Sequence, residues 1–249
     1  MPMTQTNKQA VTYFIADLHL TQNRSDITTC FISFLEKEAI QAKTLYILGD
    51  LFESWIGDDD DSEFVTTIAS ALLKLKQSGT IIYYIHGNRD FLIGKKYAKK
   101  SGMILLPEIK CIDLHGHQSI IMHGDTLCID DVDYQKFRKK SRSWWWQTII
   151  KSLPLSVRRK IAENYRKKSS AATALKSQEI MDVNPLEVIK CLETNNCQWL
   201  IHGHTHRPFV HNITANNQPA KRIVLGDWYE QGAWLKVSND GFTLMTTSF

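Results

Sequence analysis

The sequence predicts an α/β fold, a layered sandwich of strands and helices interrupted by one helical insertion. Short apolar runs rich in β-branched residues recur, helical patterns separate the first of them, and a long stretch at about 127–183 has no strand-like run. Strands that alternate with helices form βαβ units around a parallel sheet. At 249 residues the chain is long enough for one large domain, residues 1–249, that carries such an insertion.

Six apolar runs are predicted to be buried strands because each is too short for a helix and is bounded by turn residues. They are residues 11–16, 44–48, 80–85, 119–122, 199–201 and 222–225. Helical patterns at roughly 26–42 and 62–78 separate the first three runs. Near the end, Asn-Asp-Gly stands between two strand-like runs and predicts a hairpin.

The insertion contains several helical stretches and a proline hinge at Pro154. Residues 184–196 then return to the body of the domain as an ordinary helix. Asn184 suits the N-cap of that helix and Pro185 its first position.

Composition excludes several protein classes. Hydrophobic residues make up 43% and charged residues 22%, which is ordinary for a globular protein. The amino terminus lacks a signal-peptide pattern, and no run approaches the ~18 apolar residues of a membrane span. The five cysteines are scattered, which favours reduced thiols over a disulfide framework. We therefore expect a cytoplasmic protein. We also expect it to be a monomer.

The charge is distributed unevenly along the chain. Residues 136–176 hold thirteen Lys or Arg against the single acid Glu163, a local balance of +12, whereas the rest of the chain sums to −8. This predicts an anionic partner for the basic segment alone.

Polar motifs follow the predicted strands. In order they are DLHL, GDLFE, HGNRDF, HGD, HGHTHRP and GDW. Ligands bind beyond the carboxyl ends of the strands in open α/β sheets, because the loops converge there. The motifs therefore predict one site at one edge of the sheets.

The side chains in these motifs suit divalent metal ions. Asp17, His19, Asp50, Asn88 and His123, with two histidines of the GHTH motif, give two Asp, one Asn and four His. Such a mixed oxygen and nitrogen set is typical of borderline-hard divalent cations. Two cations ~3.5–4 Å apart need about this many ligands if one carboxylate is shared. The sequence predicts two Mn²⁺ ions, with Fe²⁺ or Zn²⁺ as alternatives.

The series DLH, GD, GNRDF, HGD and GHTHRP resembles the calcineurin-like metallophosphoesterases from Val11 onward, a family with a layered αββα sandwich. The resemblance implies that Asp17, His19, Asp50 and His206 hold one metal. It implies that Asp50, Asn88, His123 and His204 hold the other. His202 would then be a buried, hydrogen-bonded histidine rather than a ligand.

Four features support a narrower resemblance: GNRDF, HGDTLCIDD, the basic insertion and EIMDVN. With them the chain resembles the branch of the family that acts on UDP-2,3-diacylglucosamine in the lipid A pathway of Gram-negative bacteria. It implies hydrolysis of the pyrophosphate to UMP and 2,3-diacylglucosamine 1-phosphate, with Asp50, Asn88, Arg89 and His123 as catalytic residues. The substrate contacts that it implies are Asn88, Arg89, Asp131, Ser169, Thr173, Lys176 and His204. Thr173 stands where the branch pattern has asparagine.

The insertion has two compatible interpretations. Trp144, Trp145 and Trp146, among basic residues, suit a groove for acyl chains and a surface that lies on anionic lipid. That partner would place the protein on the cytoplasmic face of the inner membrane. They also suit packing of the insertion, as a lid, on the body.

Other hypotheses remain open. Basic and aromatic residues together also suit nucleic acid, which makes a metal-dependent nuclease the alternative enzyme, although the acidic body argues against a nucleic-acid partner. A non-catalytic membrane-surface module is a third hypothesis. The acidic run Asp58–Asp61 is predicted to be a solvated loop rather than a metal site.

Overall fold

The computed structural model describes residues 9–174 and 182–249, with the side chains of all of these except 9, 10 and 168–174. The elements in chain order are β1 Gln9–Ile15, α1 Ser25–Lys37, β2 Ala42–Ile47, α2 Glu63–Gln77, β3 Ile81–Tyr84, α3 Lys95–Ser101, β4 Ile104–Leu105, β5 Ile109–Leu114, β6 His117–Met122, α4 Val132–Ser141, α5 Trp144–Ser152, α6 Leu155–Ala174, α7 Pro185–Thr194, β7 Trp199–His202, β8 Phe209–Ala215, β9 Gln218–Val224, β10 Gln231–Ser238 and β11 Gly241–Ser248.

Two sheets form the centre of the molecule. The first has the strand order β11-β10-β1-β2-β3-β4, in which β1 to β4 are parallel and β10 runs antiparallel to β1. The second has the order β5-β6-β7-β9-β8, with β6, β7 and β9 parallel and an antiparallel strand at each edge. The parallel strands of both sheets end in the loops that carry the polar motifs.

The alternation of side chains along β1 shows how the layers pack. Tyr13 and Ile15 are buried with the apolar faces of α1 and α2, whereas Phe14, between them, is buried among side chains of the second sheet. Successive side chains of a strand point to opposite faces, so β1 contributes to two cores. A third core joins the outer face of the second sheet to α7. The result is the predicted αββα sandwich.

Most predicted elements are present. All six predicted strands exist, α1 and α2 match the helical patterns, and β10 and β11 form the expected hairpin. Asn184 caps α7, because its side-chain oxygen accepts from the backbone N–H groups of Leu186 and Glu187. The patterns did not indicate α3 or the strands β4, β5 and β8. These three strands lie at sheet edges or are very short, so their sequences lack a continuous apolar run.

The arginines of the basic segment have partners within the chain itself. Five of them form ion pairs with carboxylates of the body. Part of the anionic partner predicted for the basic segment is therefore the chain itself. These pairs are Arg138 and Arg142 with Asp125 and Glu108, Arg158 with Asp59, Arg159 with Asp60, and Arg166 with Glu53. The insertion is thus held on the acidic body by its arginines.

The lysines of the basic segment are exposed to solvent wherever their side chains are described. They are Lys136, Lys139, Lys140, Lys151, Lys160 and Lys167. The tryptophans divide in the same way. Trp146 packs against the main core and contacts Phe91, whereas Trp144 is 80% exposed and Trp145 is 44% exposed. Trp146 therefore has the predicted packed environment, whereas Trp144 is exposed to solvent.

The prediction of a solvated loop at Asp58–Asp61 was wrong for Asp58, whereas Asp59 is exposed but also has an ion-pair partner. Asp58 accepts hydrogen bonds from the Trp55 indole and from the backbone N–H groups of Gly94 and Tyr97. Asp59 pairs with Arg158, which is only 4% exposed. The acidic run joins α3 and α6 to the body, and both helices are remote from it in sequence.

Among the described helices, none combines the length and the apolar character needed to cross a bilayer.

Candidate metal centre

The seven predicted ligands lie together at the carboxyl ends of strands from both sheets. Asp17 and His19 follow β1, Asp50 follows β2, and Asn88 follows β3. In the second sheet, His123 follows β6, and His204 and His206 follow β7. The convergence predicted from strand order is therefore present.

One group of these side chains is centred on Asp17. Ligand atoms of Asp17, His19 and His206 all lie within 4.8 Å of one another. The Nε2 atoms of the two histidines are 3.4 Å apart, and Nε2 of His206 is 3.6 Å from Oδ1 of Asp17. Asp50 Oδ2 lies 4.0 Å from Nε2 of His19, at the side of this group.

A second group is centred on Asp50 and Asn88. Oδ2 of Asp50 is 3.7 Å from Nε2 of His123. Oδ1 of Asn88 is 2.9 Å from Nε2 of His123 and 2.9 Å from Nδ1 of His204. Asp50 thus lies between the two groups, where a shared carboxylate would be needed. Asp17, Asp50 and His123 also have ligand atoms within 4.8 Å of one another.

The backbone at the site is strained. Asp17, His19, Asp50, His204 and His206 have positive φ angles of 56°, 50°, 52°, 70° and 55°. A residue other than glycine in this left-handed region costs about 1 kcal/mol or more. Such strain persists where the surrounding structure enforces it, and it is concentrated at functional sites. Five of the seven predicted ligands share it here.

Glycines in the motifs allow the loops to approach one another closely. A Cβ atom at Gly87 would lie 2.1 Å from Oδ1 of Asp50, and one at Gly203 would lie 2.3 Å from Oδ2 of Asp17. Neither contact is possible, so any other residue would displace a carboxylate of the site. This explains why glycine precedes Asn88 and His204 in their motifs.

Asp90 fixes two of the loops, and the sequence patterns assigned it no role. It is fully buried, and its carboxylate accepts four backbone hydrogen bonds. The donors are the N–H groups of Asp50 (3.2 Å), Leu51 (2.7 Å), Phe52 (3.3 Å) and Gly87 (3.0 Å). Because an ionised carboxylate can accept all four, it holds Asp50 and the Gly87-Asn88 turn in register. Its position two residues after Asn88 in GNRDF is the only signal in the sequence.

Electrostatics at the site favour a cation. Burial raises the pKa of Asp50 to about 6, against the lowering effect of His123 and His19. Burial and the neighbouring His123 lower the pKa of His204 to about 3, so its ring is neutral and free to act as a ligand. Oδ1 of Asp17 is buried and has no hydrogen-bond partner among the described residues. A divalent cation would satisfy both of these carboxylates.

Two of the histidines have a carboxylate on the side that faces away from the site. Nδ1 of His19 is 3.1 Å from Oε2 of Glu53, and Nδ1 of His206 is 3.0 Å from Oδ2 of Asp227. His123 instead has its Nδ1 atom 2.8 Å from the carbonyl oxygen of Leu48. Asp227 belongs to the GDW motif, but its motif gave no specific role.

His202 has hydrogen-bond partners of its own outside the two groups. It is fully buried, its Nε2 accepts a hydrogen bond of 3.0 Å from Nε of Arg222, and its Nδ1 is 2.7 Å from the carbonyl oxygen of Gly203. Burial and Arg222 lower the pKa of His202 to about 3. The prediction of a buried, hydrogen-bonded role is confirmed.

A cavity of about 380 Å³ adjoins the site, between the body and the insertion. Its apolar wall consists of Trp55, Ile56, Phe91, Leu92, Phe137, Trp146, Ile150, Ile161, Ala162 and Tyr165. Polar side chains, among them Asn88 and Arg89, line the same cavity. Nε of Arg89 is buried and has no hydrogen-bond partner among the described residues.

The predicted substrate contacts are only partly described. Asp131 lines the cavity, and its side chain caps α4 by accepting from the N–H of Tyr134 at 3.0 Å. Ser169 and Thr173 lie on α6, where the side chains are outside the described part, and Lys176 is outside the described residues altogether.

Comparison with known proteins gives consistent results. A family model described as Calcineurin-like phosphoesterase matches residues 11–208. A curated relative from Enterobacter sp. (strain 638), named UDP-2,3-diacylglucosamine hydrolase, is 52% identical over 238 residues, which is 96% of this chain and 99% of the relative. Relatives with the same name are 52% identical in Escherichia coli O7:K1, over the same shares, and 53% identical in Salmonella newport, over 94% of this chain and 98% of the relative.

Proposed function

The chain belongs to the calcineurin-like phosphoesterase family, and on that premise we propose that it hydrolyses the pyrophosphate bond of UDP-2,3-diacylglucosamine. The products are UMP and 2,3-diacylglucosamine 1-phosphate, an intermediate of lipid A biosynthesis. The observation that carries the proposal is an apolar cavity that adjoins the cluster of predicted ligands and is lined by one of them, Asn88. A phosphoryl group can lie at the ligands while acyl chains lie against the apolar wall.

We propose Mn²⁺ as the cation, held by Asp17, His19, Asp50 and His206 in one position and by Asp50, Asn88, His123 and His204 in the other. Two observations fit this role: Oδ1 of Asp17 has no hydrogen-bond partner among the described residues, and the ring of His204 is neutral. When bound, the cations would lower the pKa of water and offset the charge that develops on the phosphoryl oxygens.

The residues of the chain position the substrate. The backbone N–H of Arg89 donates to Oδ1 of Asp50 at 2.7 Å, so the Arg89 side chain starts directly beside the shared carboxylate. Its guanidinium lines the cavity, where it can hold the pyrophosphate in a fork that lysine cannot reproduce. Asn88 lines the same cavity, and its Oδ1 atom lies 2.9 Å from Nδ1 of His204.

The insertion, residues 127–183, acts in this proposal as a lid that covers the acyl chains. It is also the part that rests on the cytoplasmic face of the inner membrane. Trp144, Ile149 and Val157 are exposed apolar side chains on α5 and α6, and exposed lysines lie on the same helices. Such a surface suits anionic lipid, where each basic residue near the membrane contributes ~1 kcal/mol.

The test is UMP release from the diacylated nucleotide by protein that has been loaded with Mn²⁺. Asp50→Ala should abolish UMP release because it removes the carboxylate between the two groups. It should leave binding to anionic liposomes intact, because the insertion is unchanged. UMP release by Asp50→Ala at the wild-type rate would refute the enzymatic assignment.

Two parallel measurements decide between the alternatives. Cleavage of single-stranded DNA with Mn²⁺, without UMP release from the lipid nucleotide, would favour the nuclease hypothesis instead. Metal analysis of protein purified without added cations identifies the native ion, and Fe or Zn at two per chain would replace Mn²⁺ in the proposal.

A further inference from the structure

Glu53 connects the candidate metal centre to the insertion. Its Oε2 atom lies 3.1 Å from Nδ1 of His19, and its Oε1 atom lies 3.0 Å from Nε of Arg166, which belongs to α6. A single carboxylate therefore contacts a side chain of the site and a side chain of the lid. Glu53 is 6% exposed, so water competes little for its oxygens.

We propose that Glu53 is a positioning residue for the cation nearest His19, and that Arg166 in turn positions Glu53. This deepens the proposed function, because it rests on the cation site described there. Glu53 is not a ligand in this proposal. It acts through the His19 ring.

The geometry assigns the two ring nitrogens of His19 to different partners. Nε2 faces the site, 3.4 Å from Nε2 of His206 and 4.0 Å from Oδ2 of Asp50. Nδ1 lies 3.1 Å from Oε2 of Glu53, although the two atoms are not aligned as a hydrogen bond. An ionised carboxylate offers only acceptor atoms to a group at this distance. The carboxylate therefore favours the tautomer with the proton on Nδ1, and this leaves the Nε2 lone pair for a cation.

Other contacts hold the His19 ring and the Glu53 backbone in this arrangement. The Tyr229 ring stacks on His19, with ring centroids 5.1 Å apart and planes 7° apart. The N–H of Glu53 donates to the carbonyl oxygen of Leu20 at 3.1 Å, next to the bridge between Leu20 and Phe52. The backbone that carries the Glu53 carboxylate is thus held in place. The contact with the half-exposed Arg166 of the insertion is the one that can break if the insertion moves.

The lid contact gives the arrangement a functional consequence. Glu53, Arg89 and Arg166 all line the cavity next to the site. A displacement of α6 that withdraws Arg166 frees one oxygen of Glu53 and lets the carboxylate rotate away from His19. Docking of the insertion and the orientation of His19 are therefore coupled through one side chain.

The test measures cation binding and the His19 ring rather than turnover. Glu53→Ala should weaken Mn²⁺ binding at one of two sites by about 10- to 100-fold, the usual effect of removing a carboxylate that orients a ligating histidine. Glu53→Gln should have a smaller effect, since its amide oxygen can still accept from Nδ1–H. Glu36→Ala is the matched control, because Glu36 is an exposed carboxylate that pairs with Lys74 on the surface.

Nitrogen-15 histidine spectra of the Zn²⁺-loaded protein provide the second measurement. Wild type should show a protonated Nδ1 for His19, assigned by its absence in His19→Asn. Glu53→Ala should lose or broaden that resonance, a change that a purely structural role of Glu53 would not produce. Unaltered affinity and an unaltered His19 resonance in Glu53→Ala would overturn the inference. Absence of cation binding by the wild-type chain would instead overturn the proposed function.

The contact between Arg166 and Glu53 is tested with Arg166→Lys. This substitution keeps the charge and alters a half-exposed side chain, so that the fold is preserved. It should weaken binding at the same site by about two- to fivefold, the range of an exposed ion pair. The effect should vanish in the Glu53→Ala background. An equal effect in both backgrounds would show that Arg166 acts independently of Glu53 and would overturn the coupling.

Discussion

Replacing Asp90 by asparagine should destabilise the fold strongly, although the two side chains have almost the same shape. The Asp90 carboxylate accepts four backbone hydrogen bonds of 2.7–3.3 Å in a fully buried place. An asparagine oxygen can keep two of these bonds, but its NH₂ group then faces two N–H donors. Each lost hydrogen bond to a charged group costs about 1.5–3 kcal/mol, so the loss is about 3–6 kcal/mol.

The assay is urea unfolding with a chelator present, so that cation binding does not contribute to the free energy of unfolding. Asp113→Asn is the matched control. Asp113 is an exposed side chain that accepts from the N–H of Gly116 at 2.9 Å, and its replacement should cost less than about 1 kcal/mol. A loss in Asp90→Asn no larger than that in Asp113→Asn would refute the reasoning that Asp90 holds the two loops.

Three further substitutions test other parts of the structure. Trp144→Ser should weaken binding to anionic liposomes without changing the free energy of unfolding, because Trp144 is 80% exposed. The control is Leu186→Ser, at an exposed apolar residue of α7, which should leave liposome binding unchanged. Arg158→Met removes hydrogen bonds to the carbonyl oxygens of Ile56 and Leu153 and the ion pair with the half-exposed Asp59. It should lower the free energy of unfolding by about 2 kcal/mol and speed chymotrypsin cleavage in the insertion. Cleavage at the wild-type rate would contradict the anchoring role of Arg158. Burial alone would raise the pKa of Asp125, but His123, Arg142 and Arg138 outweigh burial and hold it well below its usual range. The Asp125 carboxylate therefore stabilises the folded state above its unfolded pKa of about 3.9, and this contribution is lost as the pH falls below that value. Asp125→Asn should flatten the acid side of a stability profile measured between pH 2 and 7, and an unchanged slope there would contradict this pKa assignment.

The sequence alone predicted the fold class and the seven side chains that the structure brings together. Short apolar runs that alternate with helical patterns bury themselves as a parallel sheet covered by helices, and the polar motifs after the strands then converge by topology. His204 and His206 could be separated from His202 only through the resemblance of the whole motif series. The patterns left open which partners surround each ligand.

Only the tertiary structure decided those partners, because they come from distant parts of the chain. Asp90 binds N–H groups that lie about forty residues earlier, and Glu53 meets Arg166 more than a hundred residues later. The basic segment shows the same limit. Its charge predicts an anionic partner, but periodicity and composition carry no information on which of its cations face the acidic body and which face solvent. That division depends on how the insertion packs, which is fixed by contacts between elements and not by any local pattern.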